Sequence, residues 1–291
     1  MDKPITAALI VFFLLTANAR AVVDAVFVLK AKEMIQTSSA NPIEDPNFDP
    51  YVFEAIIEES SSGDPINAAV IQSPGGTVSS INLIYDPLDT EWVAKDSAAT
   101  ETALNTKLNN GTYRFDVTFD SAGLISSELD LTGDFFSTDP KISSLSNAIW
   151  NNDQLEVDPN MLATIGFTVD AGFSNGTDFM GIRIEDGFGG ELGNISGFTA
   201  LSSVTIGPGG DFSLMAGSYK LEFEVANVSD RTPTNDLLNP SIQAAAGYTT
   251  LVNVDLVVIP EPEFYGLGLG FISLMAIWVL RSRKNRSVPL E

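Results

Sequence analysis

Two segments of the chain alternate strictly between apolar and polar positions. From Tyr113 to Phe119 every second residue is aromatic or valine, and the residues between them are Arg, Asp and Thr. The segment from Tyr219 to Val225 alternates in the same way, with Tyr, Leu, Phe and Val at every second position and Lys and Glu between them. A period of two places alternate side chains on opposite faces of a strand. We therefore expect two half-buried strands, each with one face in water.

Weaker strand patterns and clusters of turn residues fill most of the remaining chain. Segments rich in Gly, Pro, Asn, Asp and Ser separate the apolar runs, as in Ser73-Pro74-Gly75-Gly76. Short strands at this spacing favour antiparallel sandwiches over βαβ units. One helix is predicted over residues 97–108, with Asp96 as its N-cap. The weaker strands are predicted over residues 26–32, 51–58, 78–85, 164–170, 179–185 and 249–258.

The two clear strands begin with similar residues. Gly111-Thr112-Tyr113 is matched by Gly217-Ser218-Tyr219, and each is followed by a basic and then an apolar residue. In immunoglobulin-like sandwiches such a tyrosine packs at a corner and its hydroxyl bonds back to the backbone. The chain is therefore predicted to be all-β, with two tandem antiparallel β-sandwich domains of immunoglobulin-like type, at residues 22–139 and 140–259. The second loosely resembles fibronectin type III modules. One large sandwich or an irregular β fold is the alternative.

The N-terminal residues have the layout of a secretory signal peptide. Lys3 supplies positive charge, residues 5–17 are apolar apart from two threonines, and Ala17-Asn18-Ala19 places small residues around a cleavage point. Residues 1–19 are therefore predicted to form a signal helix that is removed on export. A cut after Ala21 and an uncut anchor are the alternatives.

The C-terminal residues fall into three parts. Pro260-Glu261-Pro262 comes first, and residues 264–280 then carry no charge. Seventeen helical residues span about 25 Å, which is short but workable for a bilayer core of about 30 Å. A basic cluster follows and predicts a cytoplasmic C-terminus. Its residues are Arg281, Arg283, Lys284 and Arg286. We expect a single transmembrane helix over residues 264–280.

These three parts, in this order, resemble the PEP-CTERM sorting signal of Gram-negative bacteria that make exopolysaccharide. The resemblance covers residues 260–286, with Pro260, Glu261 and Pro262 at the core positions of the motif. It implies that exosortase, a membrane-embedded enzyme, cuts near Pro262 and removes the helix. The protein would be secreted, held transiently in the membrane, and then resident at the cell surface or in the extracellular matrix, with exopolysaccharide as a candidate partner. Glu263 departs from the small residue usual in the pattern, and an ordinary C-terminal anchor is the alternative.

Composition excludes several kinds of chemistry. The chain has neither cysteine nor histidine, which removes disulfides, Cys or His zinc sites, thiol nucleophiles and imidazole-based triads. Its formal net charge is −23, and residues 22–260 alone, with nine basic and 34 acidic residues, carry −25. Such a surface repels a phosphate backbone, so nucleic acid is not expected as a partner.

Clustered oxygen ligands raise the question of a metal. Carboxylates suit calcium, and extracellular modules bind it at millimolar levels. Neither acidic cluster of the body has the spacing of an EF-hand, so solvated acidic turns are the alternative interpretation. Calcium is the only cofactor considered, and its candidate ligands are Glu44, Asp45 and Asp49 in one cluster and Asp153, Glu156 and Asp158 in the other.

The remaining motifs favour a protein without catalytic chemistry. Trp92 and Trp150 would each stack on a sugar ring if exposed, but their apolar neighbours favour core positions. Residues 187–193 lack the spacing of a phosphate-binding turn and are predicted to form a hairpin loop. A non-enzymatic structural role in the extracellular polymer matrix is the favoured function. The alternatives are a carbohydrate-binding or adhesive surface module and a glycan-active enzyme that uses two carboxylates.

Overall fold

The computed structural model describes residues 23–60, 64–87, 90–232 and 243–259. Within these ranges the chain forms eighteen strands and one short helix, α1 (Glu101–Lys107). The strands are β1 (Val23–Ile35), β2 (Ile43–Glu44), β3 (Tyr51–Glu59), β4 (Ile66–Gln72), β5 (Ser80–Asn82), β6 (Ile84–Asp86), β7 (Glu91–Ala98), β8 (Gly111–Phe119), β9 (Gly123–Leu131), β10 (Lys141–Ser146), β11 (Ala148–Asn151), β12 (Gln154–Val157), β13 (Ala163–Thr168), β14 (Phe179–Asp186), β15 (Glu191–Gly197), β16 (Ser203–Ile206), β17 (Gly217–Asp230) and β18 (Gln243–Val258).

A long sheet runs through the whole described body. Its strands follow the order β15-β14-β17-β18-β1-β3-β7-β6, and β2, β11 and β12 pair at its margins. The central strand β18 lies antiparallel to β17 on one side. On its other side β18 lies parallel to β1 and then, nearer its end, parallel to β12. The 16 residues of β18, at about 3.3 Å each, give this strand a length of about 50 Å.

Two smaller sheets cover one face of the long sheet. The four-stranded sheet β5-β4-β8-β9 encloses the first core with β1, β3 and β7. The three-stranded sheet β10-β13-β16 encloses the second core with β14, β17 and the last part of β18. Apolar side chains are therefore buried between two layers in both halves, which is a sandwich arrangement. The all-β prediction is confirmed.

The strands β1 and β18 contribute side chains to both cores. On β1, Val26 lies in the first core and Met34 in the second. On β18, Ala246 lies in the first core and Leu256 in the second. The long sheet thus continues across the boundary expected near residue 140. The division into two tandem domains stays a prediction.

Several strands differ in extent from their sequence patterns. The strands predicted over residues 51–58 and 179–185 are confirmed to within one residue. The segment 78–85 is split between β5 and β6, because Leu83 turns its side chain into the first core and its N–H to Ala69. Strand β18 starts six residues earlier than predicted, since its Ala244-Ala245-Ala246 stretch is small, largely buried and without alternation.

The helix prediction is wrong at its N-terminus. Ser97 belongs to β7, and α1 starts after Thr100, whose side chain accepts a hydrogen bond from the N–H of Ala103 at 3.2 Å. Asp96, expected to cap the helix, instead accepts a hydrogen bond from Lys107 Nζ at 2.8 Å. A threonine oxygen satisfies one of the N–H groups that the first helical turn leaves without a partner.

The hydroxyl contact expected of the two tyrosines is confirmed for both. Tyr113 donates to the carbonyl of Asn109 at 2.7 Å, and Tyr219 donates to the carbonyl of Met215 at 2.8 Å. Each hydroxyl thus reaches back four residues, as a tyrosine corner does. The two strands lie in different layers, however, because β8 belongs to the four-stranded sheet and β17 to the long sheet.

The predicted targeting segments lie outside the described residues. This applies to the signal peptide of residues 1–19, to Pro260-Glu261-Pro262 and to the basic cluster at residues 281–286. In the part of the chain that the structure describes, no helix has the length and apolar character needed to cross a membrane.

Candidate functional site

The first acidic cluster consists of carboxylates that each bond to a nearby donor. Glu44 accepts a hydrogen bond from the Tyr51 hydroxyl at 2.6 Å. Asp45 accepts one from the backbone N–H of Asn47 at 2.9 Å, which makes an Asx turn. Asp49 accepts a hydrogen bond from Ser97 Oγ at 3.3 Å. These bonds hold the loop against β3 and β7.

The second acidic cluster surrounds a tight hairpin turn. Asn152 and Asp153 connect β11 to β12 with φ values of 48° and 63°, the left-handed pair of a type I′ turn. Glu156 accepts a hydrogen bond from Asn151 Nδ2 at 2.8 Å, and Asp158 accepts one from the N–H of Asn160 at 2.8 Å. Across the described residues, no three acidic side chains come close enough together to share a metal ion. Calcium binding at either cluster and the alternative of solvated acidic turns both stay open.

Sequence reasoning missed a group of buried charges on the face of the long sheet away from both cores, here called the outer face. The alternation in β17 predicts a wet face there, and this is wrong: Glu222 and Glu224 are both shielded from solvent, with Glu224 8% exposed. Glu33 on β1 and Glu54 on β3 are also buried on this face. A period of two identifies a polar face but carries no information on what covers it.

Two cations lie among these carboxylates. Lys95 on β7 contacts Glu54 with its Nζ 2.5 Å from the carboxylate oxygen. Arg183 on β14 bonds Glu222 at 2.9 Å and Glu185 at 3.0 Å. The carboxylates of the outer face outnumber the cations that pair with them. Part of their negative charge is therefore not compensated by an ion pair.

The excess of buried carboxylates changes their protonation. Burial, with repulsion from Glu222 and Glu54, raises the pKa of the Glu33 carboxyl to about 7. Burial raises the pKa of Glu224 to about 8, although the Thr249 hydroxyl donates to it at 2.7 Å. The pKa of Glu54 and that of Glu222 are raised by the same desolvation, against the attraction of their cations. Glu33 and Glu224 therefore exchange protons with solvent around neutral pH.

A buried amine ties the first core together. Lys30 on β1 donates to Asn105 Oδ1 of α1 at 2.5 Å and to Asn110 Oδ1 at 2.8 Å. Its ammonium lies 5.6 Å from the centre of the Tyr248 ring. Burial lowers the pKa of Lys30 to about 8. The network joins β1, β18, α1 and the start of β8, so the role of Lys30 is structural.

The two tryptophans of the body are half-buried. Trp150 packs against the second core. Trp92 packs against the first core and donates from Nε1 to Glu59 at 3.2 Å. Its ring centre lies 5.5 Å from that of Tyr85, which is 40% exposed on the edge strand β6. The Tyr85–Trp92 pair is therefore an aromatic surface open to solvent on one side.

The hairpin predicted at residues 187–193 is present between β14 and β15, but its turn is shorter, at residues 187–190, because β15 starts at Glu191. Asp186 accepts hydrogen bonds from the N–H groups of Phe188 and Gly190, each at 2.8 Å. These backbone bonds keep the pKa of the Asp186 carboxyl below its usual value. The turn N–H groups are thus occupied by a carboxylate of the chain itself, which leaves them unsuited to a phosphate.

Loops and strand ends meet at the end of the body where β18 stops, here called the exit end. It consists of residues 147–149, 158–162, 187–192, 207–216 and 259. The registers bring these loops together because Val258 is level with Gly217 on β17 and with Val157 on β12. The N–H of Ile259 donates to Val157 at 3.0 Å and so fixes the start of the following chain.

The exit end holds a groove of about 330 Å³ beside the edge strand β15. Gly193 allows the Phe212 ring to approach the strand, since a Cβ at this glycine would lie 2.9 Å from the ring. The Tyr219 ring is fixed at the groove by its hydroxyl bond. Apolar side chains form much of the wall, namely Leu192, Ile195, Phe212, Leu214 and Met215.

Comparisons with known proteins give only distant likenesses. No protein-family model and no curated protein sequence matches the chain. The BSP domain of a biofilm-associated protein is similar at a TM-score of 0.21 and 11% identity, over 80% of this chain and 29% of that one. Trypsin-activated α2-macroglobulin from Escherichia coli is similar at a TM-score of 0.22 and 8% identity, over 82% of this chain and 16% of that one. Dimeric latent PorU from Porphyromonas gingivalis is similar at a TM-score of 0.22 and 13% identity, over 80% and 20%. The chain spans less than a third of each of these proteins, and TM-scores this low carry no argument about function.

Proposed function

We propose that this protein is an exported, acidic β-sandwich protein with a structural, non-enzymatic role at the cell surface or in the extracellular polymer matrix. In this proposal exosortase receives it as a membrane-anchored substrate and releases it. Its two halves act as tandem sandwich domains joined by the long sheet. The partners are exosortase and the membrane during sorting, and polysaccharide afterwards.

The order of segments around the end of β18 carries the proposal. The last strand stops at Val258, and Pro260-Glu261-Pro262 follows two residues later, ahead of the uncharged segment 264–280 and the basic cluster. Prolines favour extended backbone over helix, which suits a segment that an enzyme binds as a strand. The motif thus stands directly between a folded body and a segment of membrane-spanning length.

Processing of the tail tests the proposal. In an exosortase-containing host, the double substitution Pro260→Ala and Pro262→Ala is expected to leave export intact and to block release, so that the longer, membrane-bound form accumulates. The matched control is Pro46→Ala with Pro65→Ala, two exposed prolines far from the motif. Mass spectrometry of the mature C-terminus is the measurement. Peptides from residues 264–291 in the mature wild-type protein would contradict the proposal and leave a permanent anchor.

Carbohydrate binding is the second candidate function, and the Tyr85–Trp92 pair favours it. An exposed ring beside a fixed indole offers a sugar an apolar platform, and the net charge of −23 favours a neutral polymer over an anionic one. Tyr85→Ala is expected to weaken retention on a neutral polysaccharide affinity gel, whereas the exposed neighbour Ile84→Ala is the control. Equal retention of both variants and the wild type would remove this candidate. A glycan-active enzyme stays the third alternative.

A further inference from the structure

The exit end differs from the rest of the surface in its exposed apolar side chains. Among the described residues twelve large apolar side chains are exposed. Seven of them lie at the exit end, and Phe188 and Met215 are 96% and 82% exposed. Single exposed apolar residues are ordinary on a protein, but a group at one end marks a contact surface. The seven are Ile149, Met161, Leu162, Phe188, Leu192, Met215 and Ile259.

Contacts between the loops hold these side chains as one surface. Asn147 Nδ2 donates to the carbonyl of Leu162 at 3.0 Å, which joins the loop before β11 to the loop after β12. Gly210 packs so closely on Leu162 that a Cβ there would lie 2.9 Å from its side chain. The hairpin carrying Phe188 follows β14, whose last residue is level with Tyr219. The surface therefore belongs to a folded framework.

The chain leaves the body from the middle of this surface. Ile259 is bonded to Val157, and only residues 260–263 separate it from the uncharged segment 264–280. Four residues reach at most about 15 Å when extended. Whatever holds segment 264–280 therefore also lies close to the exit end.

We propose that the exit end is a membrane-contact surface, which rests the folded body on the bilayer interface while segment 264–280 is still attached. This inference rests on the proposed function, because it takes that segment to be in the membrane. Transfer of Phe, Met, Leu and Ile side chains from water to the boundary between headgroups and acyl chains lowers the free energy. The contact would hold residues 260–263 at a fixed height above the membrane, where an enzyme embedded in it can reach them.

The charged residues near the exit end indicate which lipid headgroups the surface would contact. Asp158, Asp186, Glu191 and Asp211 lie around the apolar residues. Asp186 already accepts hydrogen bonds from turn N–H groups, and Asp211 accepts them from the N–H and the hydroxyl of Thr205 on β16. Carboxylates at this position disfavour an anionic lipid surface. We therefore expect contact with zwitterionic lipid. A second acidic copy of the chain would bring like charges together, and such a dimer is an outcome that the test separates.

Quenching by brominated lipid tests the contact on the full-length chain reconstituted in phosphatidylcholine vesicles. Tryptophan is placed at the exit end by Phe188→Trp and, as the matched control, in the β8–β9 hairpin by Leu124→Trp, since Leu124 is also exposed. Both are made in a Trp278→Phe background, with that parent subtracted. The wild type, which keeps Trp278, reports whether segment 264–280 is inserted. We expect quenching at position 188 to exceed that at position 124 by about threefold or more, as for a side chain at the acyl boundary.

The outcomes separate this inference from the proposed function. Quenched Trp278 with equal, weak quenching at positions 188 and 124 would overturn the membrane contact and leave the anchor intact. Unquenched Trp278 would overturn both. Weak quenching at position 188 together with a dimer in sedimentation that Phe188→Ser abolishes would assign the surface to a second copy. Phe188 lies at an exposed hairpin tip, so its substitutions leave the folded cores intact, which near-ultraviolet circular dichroism checks.

Discussion

At the scale of single residues, local patterns predict local contacts and fail for contacts set by the fold. The Gly-x-Tyr pattern correctly predicts that the hydroxyls of Tyr113 and Tyr219 bond back to the chain, because both partners lie four residues apart. The burial of Glu222 and Glu224 has no such local signal. Their alternation with apolar residues is the same as in a strand with one face in water. Their burial is set by how the fold covers the outer face, which the alternation does not show.

The two tyrosine hydroxyls are expected to differ in energetic value. Tyr113 is fully buried in the first core, whereas Tyr219 is half-buried at the exit end. Tyr113→Phe is expected to lower the free energy of unfolding by about 1–2 kcal/mol, since the Asn109 carbonyl is left without its donor. Tyr219→Phe serves as the matched variant and is expected to cost about 0.5 kcal/mol or less, because water replaces the hydroxyl. Urea denaturation measures both, and equal losses would contradict the assigned difference in burial.

The outer face is expected to make stability fall as pH rises through neutrality. Burial raises the pKa of Glu33 to about 7 and that of Glu224 to about 8, while an unfolded glutamate has a value near 4.5. The folded state then binds these protons more tightly than the unfolded state. The stabilisation is complete below the unfolded value and is lost as pH passes through 7 and 8. The melting midpoint should therefore be lower at pH 9 than at pH 5.5.

Neutral substitutions separate this effect from general repulsion. Glu224→Gln is expected to raise stability by roughly 1–3 kcal/mol at pH 8.5 and to change little at pH 5, where the carboxyl is already protonated. Glu191→Gln removes the same unit of charge from an exposed position and should change the pH profile far less. A Glu224→Gln profile parallel to that of the wild type would show that the outer face does not titrate as described.

At the scale of elements, alternation finds strands that have one polar face and misses those that do not. Near its start strand β18 contains Ala244-Ala245-Ala246-Gly247, where small residues pack on both sides and no period is visible. It pairs in parallel with β1, so the first and last strands of the described chain are neighbours. Local sequence patterns do not indicate this pairing, because the two strands are far apart in the sequence. The short helix shows a related limit, because both Asp96 and Thr100 are residue types favoured at an N-cap, and Asp, which ranks higher, is not the one that caps α1.

The position of the helix cap gives a direct test at this scale. Thr100→Ala is expected to lower stability by about 1 kcal/mol, because the N–H of Ala103 loses its acceptor. Thr102→Ala, on the exposed side of the same helix, is expected to be neutral or slightly stabilising, since alanine has the higher helix propensity. Thermal unfolding measures both. A loss at Thr102 as large as that at Thr100 would place the cap elsewhere.

At the scale of the whole molecule, charge is the property that the sequence predicts most directly. The net charge of −25 over residues 22–260 produces self-repulsion that lowers stability at low salt. Screening shortens the range of this repulsion from about 30 Å at 0.01 M to about 10 Å at 0.1 M ionic strength. We expect the melting midpoint to rise by several degrees over this range in sodium chloride, roughly 1–2 kcal/mol of stability.

Calcium chloride at the same ionic strength distinguishes screening from binding at a site. Five candidate carboxylates accept hydrogen bonds from local donors, namely Glu44, Asp45, Asp49, Glu156 and Asp158. Within the described ranges, no three acidic side chains come close enough together to share a metal ion. We therefore expect calcium and sodium to raise the midpoint equally. A site filled to 100 times its dissociation constant would add about 2.7 kcal/mol beyond screening. If calcium produces such an excess, Asp45→Asn and Asp153→Asn identify the cluster responsible. Asp153→Asn is the cleaner variant, because asparagine tolerates the left-handed backbone of that turn as well as aspartate does.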